Sequence, residues 1–191
     1  MHVIVIGKNH GNRSKWMKKL KPMITDPRGF YAESVADPSI GGIRIYMRDL
    51  ATWQDPVAED DRQTRSDSPS TENDEIQQTE TSANAHEFIG TCLNRHTETC
   101  VRGYEHIVPA LRAIPDGAHV IMDHIGHMDD CCPAFQEAVL DLFDRCTVLA
   151  AVSDHVPAYF QPILERNDVR IFNADGEETV FDAESLLDTR K

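Results

Sequence analysis

The segment Gly7-Lys-Asn-His-Gly11-Asn-Arg-Ser14 brings two glycines, two cations and a hydroxyl to the point where an apolar run gives way to a lysine-rich helix. Unobstructed backbone amides, a helix N-terminus and a nearby cation are the parts that hold an anion, above all a phosphate. The local charge agrees. Five of the six lysines lie between Lys8 and Lys21, and residues 1–28 carry seven basic side chains and one acidic, in a chain of net charge −13.

A second chemical stretch runs His119-Val-Ile-Met-Asp123-His124-Ile-Gly-His127-Met-Asp129-Asp130-Cys-Cys132. Asp123 closes an apolar run, a position from which a carboxylate holds Mg²⁺ directly or through water. Asp129 and Asp130 would support that metal or act as a base toward a bound hydroxyl. His124 and His127 with a carboxylate would instead suit a transition metal, although no established zinc spacing is matched. Capping of the helix that starts at Pro133 accounts for Asp129 and Asp130 without any metal. Cys92, His96 and Cys100 recur every four residues in an apolar stripe with Phe88 and Tyr104, which favours core packing over a metal row. Ser153-Asp154-His155 are neighbours in sequence, so they form no catalytic triad, and Ser153 and Asp154 read as a helix cap.

The elements that must position these groups follow from periodicity. Val3–Ile6 is a short β-branched run expected of a strand buried on both faces. Asn12 or Ser14 caps the next helix, with Trp16, Leu20, Met23 and Ile24 inward and Lys15, Lys18 and Lys19 outward. Ile43–Met47 reads as a second strand. From about Gln54 to Asn84 nine acids and two arginines sit among Ser, Thr, Gln and Asn, with almost nothing to bury, so a disordered acidic insertion is expected. A long helix is expected over about 85–113. Strands at His119–Met122, Val148–Val152 and Val169–Phe172 alternate with helices at Pro133–Arg145 and Val156–Arg166. A small hairpin from Asn173–Gly176 to Thr179–Phe181 precedes a final helix from about Ala183. The pattern predicts one α/β domain over 1–191, interrupted at about 54–85. It has three layers: a mainly parallel sheet of about five strands with helices on both faces. Ligands of such sheets bind outside the carboxyl ends of the strands. Residues just past those ends are Gly7–Ser14, Arg48 and Asp49, Asp123 to Asp130, Ser153 to His155, and Asn173 with Asp175.

Composition narrows the class. No apolar run approaches a membrane span, and Lys8 lies inside the first apolar segment rather than before it, so no secretory signal is expected and the protein reads as cytoplasmic. The five cysteines are expected as thiols, since adjacent Cys131 and Cys132 would form a strained ring. Residues 86–191 hold 19 acids against 8 bases, and Lys191 is the sole lysine among those bases. Such a surface suits a halophilic source or an ordinary acidic cytosolic protein and argues against general DNA coating; only the Lys15, Lys18 and Lys19 face offers a site for an acidic partner or nucleic acid.

The first loop resembles the Walker A loop of P-loop NTPases and nucleotide kinases, G-x-x-x-x-G-K-[ST]. Three residues rather than four separate Gly7 from Gly11, and Asn12-Arg13-Ser14 stands where Lys-Ser/Thr would follow. The resemblance implies a P-loop-like or Rossmann-like fold and nucleotide-kinase-like phosphoryl transfer with a nucleoside triphosphate and Mg²⁺. Gly7, Lys8, Gly11, Asn12, Arg13 and Ser14 would then hold phosphate, with Arg13 in place of the lysine. Ser14, Asp123 (in a Walker B-like strand) and Asp129 would serve the metal. Arg13, Asp123 and Arg48 would be catalytic, with Arg95 or Arg102 as further cations. Two rivals remain: a metal-dependent hydrolase using Asp123, His124, His127, Asp129 and Asp130, and a non-enzymatic accessory protein with a decayed nucleotide site.

Overall fold

The computed structural model describes residues 1–50, 86–94 and 96–176. Strand β1 (His2–Gly7) leads through the loop to helix α1 (His10–Leu20), and then come β2 (Arg28–Asp37), β3 (Gly42–Asp49), β4 (His86–Leu93) and β5 (His96–Thr99). Helix α2 (Val101–Arg112) is followed by β6 (His119–Ile125), α3 (Pro133–Arg145), β7 (Thr147–Ser153), the short α4 (Gln161–Leu164) and β8 (Val169–Asn173). One sheet of eight strands runs in the order β5-β4-β3-β2-β6-β7-β1-β8. The five strands β2-β6-β7-β1-β8 are parallel, and β3, β4 and β5 extend the sheet in antiparallel fashion beyond β2.

The three-layer expectation holds, with apolar clusters on both faces of the sheet. On one face Trp16, Met17 and Leu20 of α1 pack over Val3, Val5, Ile121, Leu149 and Ala151. On the other, α2 and α3 bury Tyr104, Ile107, Leu111, Phe135, Val139 and Leu142 over Ile4, Val120, Met122 and Ala150. Each of these large side chains contributes about 1.5–3 kcal/mol when fully buried, which fixes α1 against β1 and so sets the loop between them.

The sheet is larger than five strands, and it is mixed rather than mainly parallel. Strand β2 escaped the hydrophobic pattern because only Gly29 and Phe30 are buried, and its distal half forms an exposed ribbon with β3. The helix expected over 85–113 is instead the hairpin β4–β5 followed by α2, with Cys92 in β4, His96 in β5 and Cys100 at the N-cap of α2. A spacing of four is both about one helical turn and two strand repeats, so Phe88, Cys92, His96 and Cys100 fit either element. The Val156–Arg166 helix reduces to a 3₁₀ turn at Ala158–Phe160 and the single turn of α4. The insertion at about 54–85, Arg95, the Thr179–Phe181 strand and the helix from Ala183 lie outside the described residues. All five cysteines are free. Among the described residues no helix is long and apolar enough to cross a membrane.

Candidate functional site

The loop between β1 and α1 is ordered by a cap that differs from the expected Asn12 or Ser14. Asn9 is the N-cap, its Oδ1 accepting from the backbone of Gly11 at 2.8 Å and of Asn12 at 3.4 Å. Arg13, one turn into α1, folds back and donates to the carbonyl of Gly7, which also accepts from the amide of Asp154 at 3.2 Å. Arg13 is 5% exposed and its Nε has no hydrogen-bond partner. Burial pulls its pKa down, while Asp123, Asp154 and Asp175 push it back. An arginine stays charged against such a shift, so a fixed cation lies beneath the loop at the carboxyl ends of β6, β7 and β8.

Asp123 stands within a row of neighbours across the sheet: Arg48 pairs with Tyr31, Tyr31 with Asp123, and Asp123 with Ala151. Paired residues share a face, so the Asp123 carboxylate points to the side covered by α1. Lys21 meets it there, Nζ to Oδ2 at 3.3 Å, and the same ammonium lies 5.2 Å from the Tyr31 ring centre. Ser14, Lys18 and Lys21 stand at i, i+4 and i+7 on one stripe of α1. Together with Arg28, Tyr31 and Asp123 they line a cleft of about 900 Å³. Ser14 and Asp123, paired in the sequence only by the expected metal role, therefore share one cavity beside the loop.

Other candidates fall elsewhere. Arg48 stands two strands from Asp123, roughly 10 Å at normal strand spacing, and its Nε donates to Glu33 at 2.7 Å. Arg102 is exposed on α2, which packs on the opposite face of the sheet from α1. Asp129 is not at the metal position. It is 1% exposed and accepts from Tyr104 Oη at 2.9 Å, Tyr159 Oη at 3.2 Å and the Gly126 amide at 3.0 Å. Burial pushes its pKa up to about 7. It closes the turn from β6 into α3, a structural use of its carboxylate. Asp130 and His127 are exposed. His124 sits at the loop, its ring 6.1 Å from that of His10. Burial, then the charges of Arg13, His10 and His127, pushes its pKa down to about 3, so it is neutral at neutral pH. Among the described residues no three of His, Cys, Asp and Glu are gathered to hold a metal ion. Ser153 Oγ donates to the carbonyl of His155 at 3.0 Å instead of capping a helix. Lys15, Lys18 and Lys19 are exposed as expected, Lys19 lying over Trp16 at 4.6 Å.

Three residues of this site were missed or underrated from the pattern: Asn9, Lys21 and Asp175. Asn9 directly precedes the helix, a cap signal equal to that of Asn12. Lys21 is seven residues beyond Ser14 and so lies on its stripe, although chain distance suggests the far end. Asp175 is brought by β8 to the loop, where the amides of Lys8 and Asn9 donate to its carboxylate.

No family model and no curated protein sequence matches the chain. Its fold does have solved counterparts. The solution structure of a human cancer-related nucleoside triphosphatase superposes with a TM-score of 0.61 at 16% identity, covering 100% of this chain and 99% of the other. The crystal structure of THEP1 from the hyperthermophile Aquifex aeolicus superposes with a TM-score of 0.60 at 15% identity, covering 98% of this chain and 97% of the other. The fold is P-loop NTPase-like, as the loop and the Asp123 strand suggested.

Proposed function

We propose that the chain binds a nucleoside triphosphate with its phosphates on the Gly7–Ser14 loop and carries out Mg²⁺-dependent phosphoryl transfer of the nucleotide-kinase type. The observation that carries this reading is the meeting of Ser14 and Asp123 in one cleft beside a loop whose amides already bind an anion. The residues fit the groups that such a reaction needs. Ser14 and Asp123 offer the hydroxyl and carboxylate oxygens that Mg²⁺ takes, and the buried Nε of Arg13, without a hydrogen-bond partner, leaves a fixed cation with a spare donor under the loop. Mg²⁺, when bound, neutralises phosphate charge and polarises the transferred group. The amides of Lys8 and Asn9 and the N-terminus of α1 hold phosphate oxygens. Arg13 supplies fixed charge from below, and Lys21 holds Asp123 in place. Lys18, Arg28 and Tyr31 receive the part of the substrate that extends along the cleft.

One observation favours the accessory reading: the Arg13 guanidinium is engaged with Gly7 rather than extended into solvent. A decayed site would give no response to nucleotides. A thermal-shift series with ATP, GTP, CTP and UTP, with and without Mg²⁺, separates the two. A ligand at a hundredfold excess over Kd adds about 2.7 kcal/mol, which for a chain of this size is a rise of about 5–10 °C. Asp123→Asn and Ser14→Ala are expected to lose the Mg²⁺-dependent part of that rise. A wild-type melting temperature unmoved by the whole panel overturns the proposal.

A further inference from the structure

Asp175 follows β8 in a turn where its own amide donates to Asn173 Oδ1 at 2.9 Å. From there its carboxylate reaches the β1–α1 loop. The amide of Lys8 donates to Oδ2, the amide of Asn9 is 3.3 Å from both oxygens, and Asn12 Nδ2 donates to Oδ1 at 3.0 Å. Oδ2 lies so close to Gly7 that a Cβ on that residue would stand 3.0 Å from it. These donors, together with the glycine that leaves room above them, are the ones a phosphate on this loop would use. The anion cradle is therefore filled by the chain's own carboxylate.

That occupant is suited to exchange. Asp175 is exposed, so no burial holds it in place and water can compensate its leaving. It brings one negative charge and two acceptor oxygens, whereas a terminal phosphate brings up to two charges and three oxygens. A dianionic phosphate therefore gains more from Arg13 and the α1 N-terminus than the carboxylate loses. A small carboxylate such as acetate offers nothing that Asp175 does not already supply.

We propose that Asp175 is a specificity-determining residue that occupies the phosphate cradle, so that a phosphate ester binds by displacing its carboxylate and simple carboxylates are excluded. The inference rests on the nucleotide-binding reading of the loop. Apparent affinity is divided by the fraction of molecules whose cradle is open. If the carboxylate is in place nine-tenths of the time, removing it tightens binding about tenfold.

Calorimetric titration of MgATP into wild type, Asp175→Asn and Asp175→Ala tests this. Both variants are expected to bind about tenfold tighter than wild type, and to admit acetate as a competitor. In wild type, inorganic phosphate should move the amide resonances of Asp175 and Gly176 together with those of Lys8 and Asn9. Equal or weaker MgATP binding by both variants, with wild type binding normally, overturns the displacement and leaves the nucleotide site standing. Absence of binding in all three proteins overturns the nucleotide reading as well. Should the variants not fold, the wild-type resonances decide alone: Asp175 and Gly176 unmoved at saturating phosphate sinks the proposal.

Discussion

At the scale of single residues, two groups, the buried Asp129 and the half-buried His124, titrate in opposite senses. Asp129, held up at about 7 by burial against an ordinary 3.8, keeps a proton in the folded chain that the unfolded chain has released between those values. Its contribution is full below pH 3.8 and fades as pH rises to about 7. His124, pushed down to about 3 from 6.5, is the reverse: its contribution is present above pH 6.5 and is lost as pH falls toward 3. His2, also lowered by burial, adds to the second group. Between pH 3.8 and 6.5 the two opposite slopes offset each other. Asp129→Asn should therefore expose the histidine slope, with stability falling on acidification by up to about 1.4 kcal/mol per pH unit. Urea melts across that window check it, and a variant as flat as wild type refutes it. None of this was legible from the chain, where Asp129 and Asp130 are equal neighbours. Burial by Tyr104 and Tyr159, 25 and 30 residues away, separates one from the other.

At the scale of elements, the parallel core was readable and the antiparallel extension was not. Strands β1, β6 and β7 are short apolar runs because both of their faces are covered, β8 is an edge strand with Arg170, Ile171 and Asn173 exposed, and α3 begins at its proline. Strands β2, β4 and β5 are held mainly by pairing, with Phe30 and Ile89 the buried core side chains of β2 and β4. Their positions depend on partners far along the chain, which local periodicity does not contain. One close approach anchors the extension: α2 lies against β4 at Gly103, where a Cβ would run into the carbonyl oxygen of Phe88. Gly103→Ala must push the helix off the strand, at a cost of about 1–3 kcal/mol typical of overpacking. A lower urea midpoint with unchanged slope is the expected signature, and a midpoint equal to wild type refutes the contact. The candidate site should be spared, since α2 lies on the face opposite the cleft.

At the scale of the whole molecule, charge is divided as sharply as structure. Basic residues dominate the first 28 positions, three of them (Lys18, Lys21 and Arg28) lining the cleft, while the rest of the chain carries the excess that makes the total −13. Like charges at that density repel, and salt screens them over about 10 Å at 0.1 M and about 3 Å at 1 M. The halophilic reading proposed for this composition expects the melting temperature to climb with NaCl into the molar range, with loss of structure in dilute buffer. A melting temperature that is flat or falls with salt refutes it. The same screening weakens any docking of an acidic partner at Lys15, Lys18 and Lys19.

The sequence by itself determined the α/β class, the glycine loop entering a helix, and the strand that carries Asp123, which runs two residues past it to Ile125. Each of these is a local consequence of strand and helix periods and of where polar residues must leave an apolar run. Tertiary structure alone decided which charges meet. Lys21 folds back along α1 to Asp123, Asp129 turns inward to two tyrosines, Arg13 tucks under Gly7, and β8 delivers Asp175 to the loop amides. Those outcomes depend on strand order, which brings residues some 160 positions apart within hydrogen-bonding distance and is set by the packing of both faces of the sheet together.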